Sequence, residues 1–301
     1  MPSDQSQLAG SQDIQYFLHN WCSLSWSPWV SFIATKDEFR QISKRPGVYR
    51  VRPVGKDFLM YIGETSRTVR ERLNELRNNL KGADLMPWND PHTAAPSLWA
   101  WHNAEHYEYE CSAAPLDLSS QNRRGTESFL LYKYRQERRE STLCNFGRFH
   151  PRYTKSTNRK KNSRGGKLPE WQNDNLAGLP SIAPLEVAGK PGDSDWMKLD
   201  WSQRALLTSA EVQEVEAGAG LYLLADAGSH DVVYIGQSAN VAKRLLDHSR
   251  KTWDDKTLEF SYQIIGPSVP SHHLKELEND LIGNYFENLR TAPEFQFRRS
   301  R

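Results

Sequence analysis

Apolar residues along this chain switch between two periods, and the switches mark its elements. From Gly47 an alternating run, Gly47-Val48-Tyr49, is punctuated by Gly55-Lys56-Asp57, and a second apolar run from Phe58 to Ile62 stops at Gly63. Beyond Gly63 the spacing turns helical: Val69, Leu73, Leu76 and Leu80 share a face, with Arg67, Arg70 and Arg72 beside them. The pattern predicts strand, turn, strand, helix. It returns in the second half, where Gly220 to Leu224 and Val232 to Ile235 read as strands and Ala239 to Ser249 as a helix. Tyr222 and Tyr234 stand from Gly220 as Tyr49 and Tyr61 stand from Gly47.

The repeat begins upstream of these hairpins. Trp26-Ser27 precedes Gly47 much as Trp201-Ser202 precedes Gly220, and TSAEVQEVEAGAG occupies the place of TKDEFRQISKRPG. Ile14 to Phe39, with Trp21, Trp26 and Trp29, is expected to pack a helix and loop against the first core, and Thr35 to Glu38 has the spacing of a helix cap. The proline-bearing stretch from Lys81 to Asn103 reads as an ordered loop, with Asn89 and His92 facing substrate or bonding the loop itself. His102 and His106 have the spacing of a helical metal pair, but HYEYEC alternates as a strand. Tyr107, Tyr109 and Cys111 belong to that third strand, and a helix is expected from Thr126-Glu127. In the second half Phe260, Tyr262 and Ile264 alternate in the third strand, and Leu274 to Leu289 forms a helix carrying Glu276 and Glu278.

The two sets of Gly-x-Tyr and Tyr-Ile-Gly segments resemble the GIY-YIG nuclease superfamily, present as two tandem copies. The resemblance implies an α+β fold of two small domains, each a three-stranded antiparallel sheet flanked by helices. It implies hydrolysis of DNA phosphodiesters, of the restriction or phage-defence kind, with Mg2+ or Mn2+ as the divalent metal. In the first copy it makes Tyr49 and Tyr61 the paired hairpin tyrosines, one assisting the attacking water directly or through another water, Arg72 the phosphate clamp, Glu127 the metal ligand and Asn145 the polar residue after the glutamate helix. In the second copy it points to Tyr222, Tyr234, Arg244, His248 and Glu278, the last again as metal ligand. A free tyrosine has a pKa of about 10, so phenolate would need a neighbouring cation or a metal-linked water. Each copy departs from the pattern. The segment from Gly63 to Arg72 is one residue longer than that from Gly236 to Arg244, which leaves Arg70 as a competitor for the clamp, and Leu76 stands where many members carry a histidine. The second copy offers Gln296 where the asparagine would be.

Composition narrows the rest. With 39 Lys+Arg against 37 Asp+Glu the net charge is only +2, so any nucleic-acid footprint is local. It concentrates in PRYTKSTNRKKNSRGGK, residues 151–167, which carries seven basic residues and no acid. The reading is a flexible linker, either simply solvated or lying along DNA phosphates through Arg159, Lys160, Lys161, Arg164 and Lys167. The expected organisation is a disordered start over 1–12, a first domain over 13–150, a basic then Pro/Gly-containing linker over 151–195, and a second domain over 196–301. The terminal FRRSR reads as a basic mobile tail. Cys22, Cys111 and Cys144 form neither a disulfide framework nor a zinc motif, and Cys111 is expected as a buried thiol. No apolar run approaches the roughly 20 residues that span a bilayer, so a cytoplasmic location is expected. The implied partner is double-stranded DNA, and two sites in one chain would let a monomer cut both strands. The alternatives are one catalytic domain with one degenerate DNA-binding domain, or a non-catalytic nucleic-acid-binding protein.

Overall fold

The structure, a computed structural model, describes residues 14–81, 84–89 and 93–298. The expected disordered start, His92 and the last residues of the basic tail lie outside them. The first half runs β1 (Val30–Ser31), β2 (Gly47–Pro53), β3 (Tyr61–Thr65), α1 (Val69–Leu80), α2 (Ala95–Glu105), β4 (Tyr109–Pro115) and α3 (Ser120–Arg138). A short ribbon, β5 (Tyr153–Thr154) and β6 (Gly166–Lys167), leads into an extended strap. The second half runs β7 (Ala205–Leu206), α4 (Ser209–Gln213), β8 (Ala219–Asp226), β9 (Val232–Ser238), α5 (Val241–Ser249), β10 (Leu258–Gly266) and α6 (Ser271–Leu289). The result is a mixed α+β architecture with two antiparallel four-stranded sheets of the same order, β1-β4-β2-β3 and β7-β10-β8-β9.

Each sheet has one strand more than the sequence predicts. The extra strands, β1 and β7, are two residues long, and a repeated serine anchors the approach to each. Ser27 N donates to Ala113 O and its hydroxyl accepts from Ala113 N, while Ser202 does the same with Tyr262. Upstream, Trp26 Nε1 reaches Trp21 O as Trp201 Nε1 reaches Trp196 O. These bonds of the lead-in thus recur in both halves.

Other boundaries move for local reasons. β3 begins at Tyr61, opposite Val51, because Phe58 to Met60 completes the turn and Leu59 N is taken by Tyr134 Oη. The loop expected through Asn103 ends in a helix: Pro96 sits in the first turn of α2, where a missing N–H costs no bond, and Leu98 and Ala100 are buried beyond it. His102 Nδ1 then bonds Tyr107 O and His106 ends the helix in a left-handed conformation, so the pair does not converge. α3 begins at Ser120, capped by Ser119, which places Glu127 inside the helix rather than at its start. Thr35 and Glu38 do form their reciprocal cap, but it opens only a short 3-10 turn. The basic linker is an ordered ribbon: Tyr153 is buried edge-on to Trp99, and Arg164 lies 3.9 Å over the Trp88 ring.

Alternation in β2 and β8 separates two cores. Tyr49 and Val51 face α1 and α2, whereas Val48, with Ile62 and Ala114, packs on Leu130, Leu131 and Tyr134 of α3. Likewise Tyr222 and Leu224 face α5, and Leu221, Leu223 and Ile235 face α6. Arg50, on the α3 side, is fully buried beneath Trp26 and Trp29 and donates to the carbonyls of Tyr16 and Leu18; burial pushes it down to about 9. The halves meet where α3 packs on α6. Arg135 holds Asp280 through two bonds, 2.8 and 3.0 Å, and lies 3.4 Å from Glu276, with all three side chains fully buried. Among the described residues no helix is long and apolar enough to cross a membrane.

Candidate active site

The two glycines of each hairpin are there for close approach. A Cβ on Gly47 would meet Ala114 O at 2.2 Å, and one on Gly220 would meet Gln263 O at 2.2 Å, so these residues let the central strand lie against its neighbour. A Cβ on Gly63 would meet the Tyr49 hydroxyl at 2.7 Å, and one on Gly236 would meet the Tyr222 hydroxyl at 2.3 Å. The glycine after each Tyr-Ile is therefore the floor over which the opposite phenol extends. Tyr49 is paired with Gly63 across the ladder, and Tyr222 with Gly236, which fixes that register. The tyrosine rings stand side by side, 6.0 Å apart for Tyr49 and Tyr61 and 6.1 Å for Tyr222 and Tyr234.

The helix after each hairpin delivers the arginine. Thr68 caps α1 and Asn240 caps α5, and counting from the caps makes Arg72 the counterpart of Arg244 and Leu76 that of His248. Arg72 Nε approaches the Tyr49 hydroxyl at 3.4 Å. Arg70 turns away and donates to the carbonyls of Ile42 and Arg40, so the extra residue before α1 is absorbed ahead of the cap. In the second half Arg244 is exposed on α5, and His248 Nε2 is 2.8 Å from the Tyr222 hydroxyl. His248 Nδ1 is buried with no hydrogen-bond partner.

The glutamates come from the helices on the other face and meet the tyrosines at the edge strand. Glu127 accepts the backbone N–H of Glu64, and Glu278 that of Gln237, the matching residue of β9. Burial pushes both carboxyls up to about 8, helped at Glu127 by the nearby Glu64 charge. Burial likewise raises all four tyrosines, so it works against phenolate even with Arg72 or Arg244 opposing it. It drives His248 down to about 4, with the charges of Lys251 and Arg244 acting the same way. At neutral pH each cleft therefore holds neutral phenols, and the second also holds a neutral imidazole.

Asn145 stands behind the strand. Its amide accepts from Ile62 N at 3.0 Å, donates to Ile62 O at 2.8 Å and accepts from Thr142, so it completes the outer edge of β3. Gln296 accepts from Ile235 N at 3.0 Å, the equivalent strand bond, which explains how the longer amide serves. Arg159, Lys160, Lys161, Arg164 and Lys167 sit on the β5–β6 ribbon, which docks on α2. Sequence reasoning missed Glu64, held by Arg123 and Arg124 at 3.4 and 3.7 Å, and Thr93, whose side chain bonds the Tyr61 hydroxyl. The acid directly after Gly63 was the available signal for Glu64; nothing in the sequence marked Thr93. No family model, curated protein or solved structure matches this chain.

Each cleft thus offers two phenols, an arginine and a helix-borne carboxyl at the edge of a sheet, and the first adds Glu64, paired with Arg123 and Arg124. Among the described residues no group of three or more His, Cys, Asp or Glu gathers as metal ligands. Glu127 and Glu278 are the buried carboxyls that stand beside the tyrosine pairs.

Proposed function

We propose that this protein is a metal-dependent DNA endonuclease with a GIY-YIG-type site in each half. What carries the reading is recurrence: the tyrosine pair, the arginine and the glutamate recur on two sheets of the same strand order. A core needs no buried carboxyl in this place, let alone twice.

The donor set suits a hydrated Mg2+ or Mn2+, which accepts one protein carboxylate and keeps several waters, better than a zinc site with three or four protein ligands. Held by Glu127 in one cleft and Glu278 in the other, such a cation would supply charge neutralisation for the phosphorane and the departing oxygen. Arg72 and Arg244 provide planar cations for the non-bridging phosphate oxygens. Neutral Tyr49, Tyr61, Tyr222 and Tyr234 orient water and phosphate by hydrogen bonding rather than acting as preformed bases. In the second cleft the neutral imidazole of His248 holds the Tyr222 hydroxyl at 2.8 Å and fixes its orientation; Leu76 offers the first cleft no such polar partner. A weaker first site that mainly anchors DNA is the second reading, favoured by Leu76 and by the basic ribbon beside that half.

The test is incubation of the full chain with unmodified and base-modified plasmid and phage DNA in Mg2+ or Mn2+, beside the Glu127→Gln/Glu278→Gln double variant. Cleavage that depends on the metal and vanishes in the double variant supports the reading. DNA retention without product from any of these DNAs would leave a binding protein.

A further inference from the structure

The contact between α3 and α6 answers itself. Aligning the halves on their glutamates matches Glu127 with Glu278, and the same shift matches Arg135 with Phe286, Phe129 with Asp280 and Gly125 with Glu276. The Arg135–Asp280 pair is then answered by Phe286 on Phe129, with ring centroids 6.1 Å apart. Arg135 beside Glu276 is answered by Phe286 beside Gly125, where a Cβ would meet that ring at 2.6 Å. Two further contacts map onto themselves. Tyr132 packs on Gly283, where a Cβ would meet its Cβ at 2.2 Å, and Asn279 Nδ2 donates to Ser128 O. Reciprocal pairs around self-paired ones are the mark of an isologous, two-fold interface. The chain is built like a dimer whose subunits have been joined, with charge on one side of the axis and aromatic rings on the other.

That axis fixes the relation between the clefts. Glu127 and Glu278 each directly precede a residue of the self-paired Ser128–Asn279 contact, and each carboxyl leaves its helix toward its own sheet. Packed helices lie about 8–10 Å apart. A helix with its side chains has a radius of about 5–6 Å, so the two carboxyls are separated by at most roughly 22 Å. Successive turns of B-form DNA are about 34 Å apart, beyond that reach. The strands of a duplex are themselves related by two-fold axes. Resting on the nuclease reading, we infer that the substrate is a single duplex, held with its dyad along the axis between α3 and α6. The two cuts then fall on opposite strands across one groove. At about 3.4 Å per base pair the stagger is at most about six nucleotides. It is also constant, because the fully buried Arg135 pairs and the close glycine packing leave no hinge between the halves.

The experiment is end-mapping of the double-strand breaks that the full chain makes in the same DNA panel with Mg2+ or Mn2+. Paired ends with one stagger of no more than about six nucleotides at every break are expected. Glu127→Gln and Glu278→Gln should each leave a nick at one of those two positions, on opposite strands. Paired nicks on one strand, offsets beyond a helical turn, or offsets that differ from break to break would overturn the inference while leaving the nuclease reading intact. Absence of metal-dependent product from all of these DNAs would overturn the nuclease reading and the inference with it.

Discussion

The first cleft and the second share a frame and differ in their chemistry. Both have glycines under the phenols, a tyrosine pair about 6 Å apart, an arginine in the first turn of the next helix and a glutamate bonded to the edge strand. The first has Leu76 where the second has His248, Glu64 where the second has Gln237, and an insert of α2 and the β5–β6 ribbon with no counterpart. Backbone approach beneath the phenols leaves no room for a Cβ, so the glycines and the tyrosine–glycine pairing recur, although the second sheet carries bulges near Leu224 and Ile264 that the first lacks. The positions around the phenols carry no such constraint and diverged.

The interface offers the largest effect with which to probe this comparison. Arg135→Leu would leave Asp280 and Glu276 buried without their cation, a loss of about 3–5 kcal/mol in unfolding free energy by denaturant titration. The mate of Arg135 carries no charge, so Phe286→Leu should cost only about 1 kcal/mol. Equal losses from the two would contradict the division into a charged and an aromatic side.

Acid should find the second half first. His248, facing Tyr222, Tyr234, Trp253, Arg244, Lys251 and Asp247, is held from 6.5 down to about 4. The unfolded chain protonates first, so the stability from this group is complete above pH 6.5 and is lost as pH falls toward 4. The drop is about 3 kcal/mol. A wild-type slope over that window that persists unchanged in His248→Leu would refute it.

Activity should separate the clefts as well. His248→Leu, which copies the first half and frees the Tyr222 hydroxyl to move, should slow cutting by the second cleft roughly a hundredfold and spare the other strand. Strand-specific end labels read this directly, and equal slowing of both strands would signal damage to the fold. Last and smallest, Arg72→Lys should lower the first-cleft rate about tenfold, since the ammonium loses the planar fork, whereas Arg70→Lys should change it by less than about twofold. The reverse order would restore Arg70 as the clamp.

Periodicity exposed the helices and central strands because burial repeats along them. The arginine that faces Tyr49 was ambiguous between Arg70 and Arg72 since the loop before α1 is one residue longer, and only the Thr68 cap settles the phase. α2 was hidden because three prolines near it read as turns, though Pro96 in a first turn is compatible with a helix. The ribbon was hidden because its core contact comes from Tyr153, while the intervening basic residues give no strand pattern. Arg50 looks like a surface charge in sequence; three tryptophans and backbone carbonyls from far along the chain bury it. The relation between the halves, with Gly125 and Gly283 opposite large rings, needs the partner helix to be seen at all.

The most direct test of two working clefts is conversion of a cleavable supercoiled plasmid at protein excess by the wild type, Glu127→Gln, Glu278→Gln and the double variant. Linear product from the wild type, nicked circles that persist with each single variant, and no product from the double variant are predicted. Linear product from either single variant would contradict the account, because one cleft would then be cutting both strands.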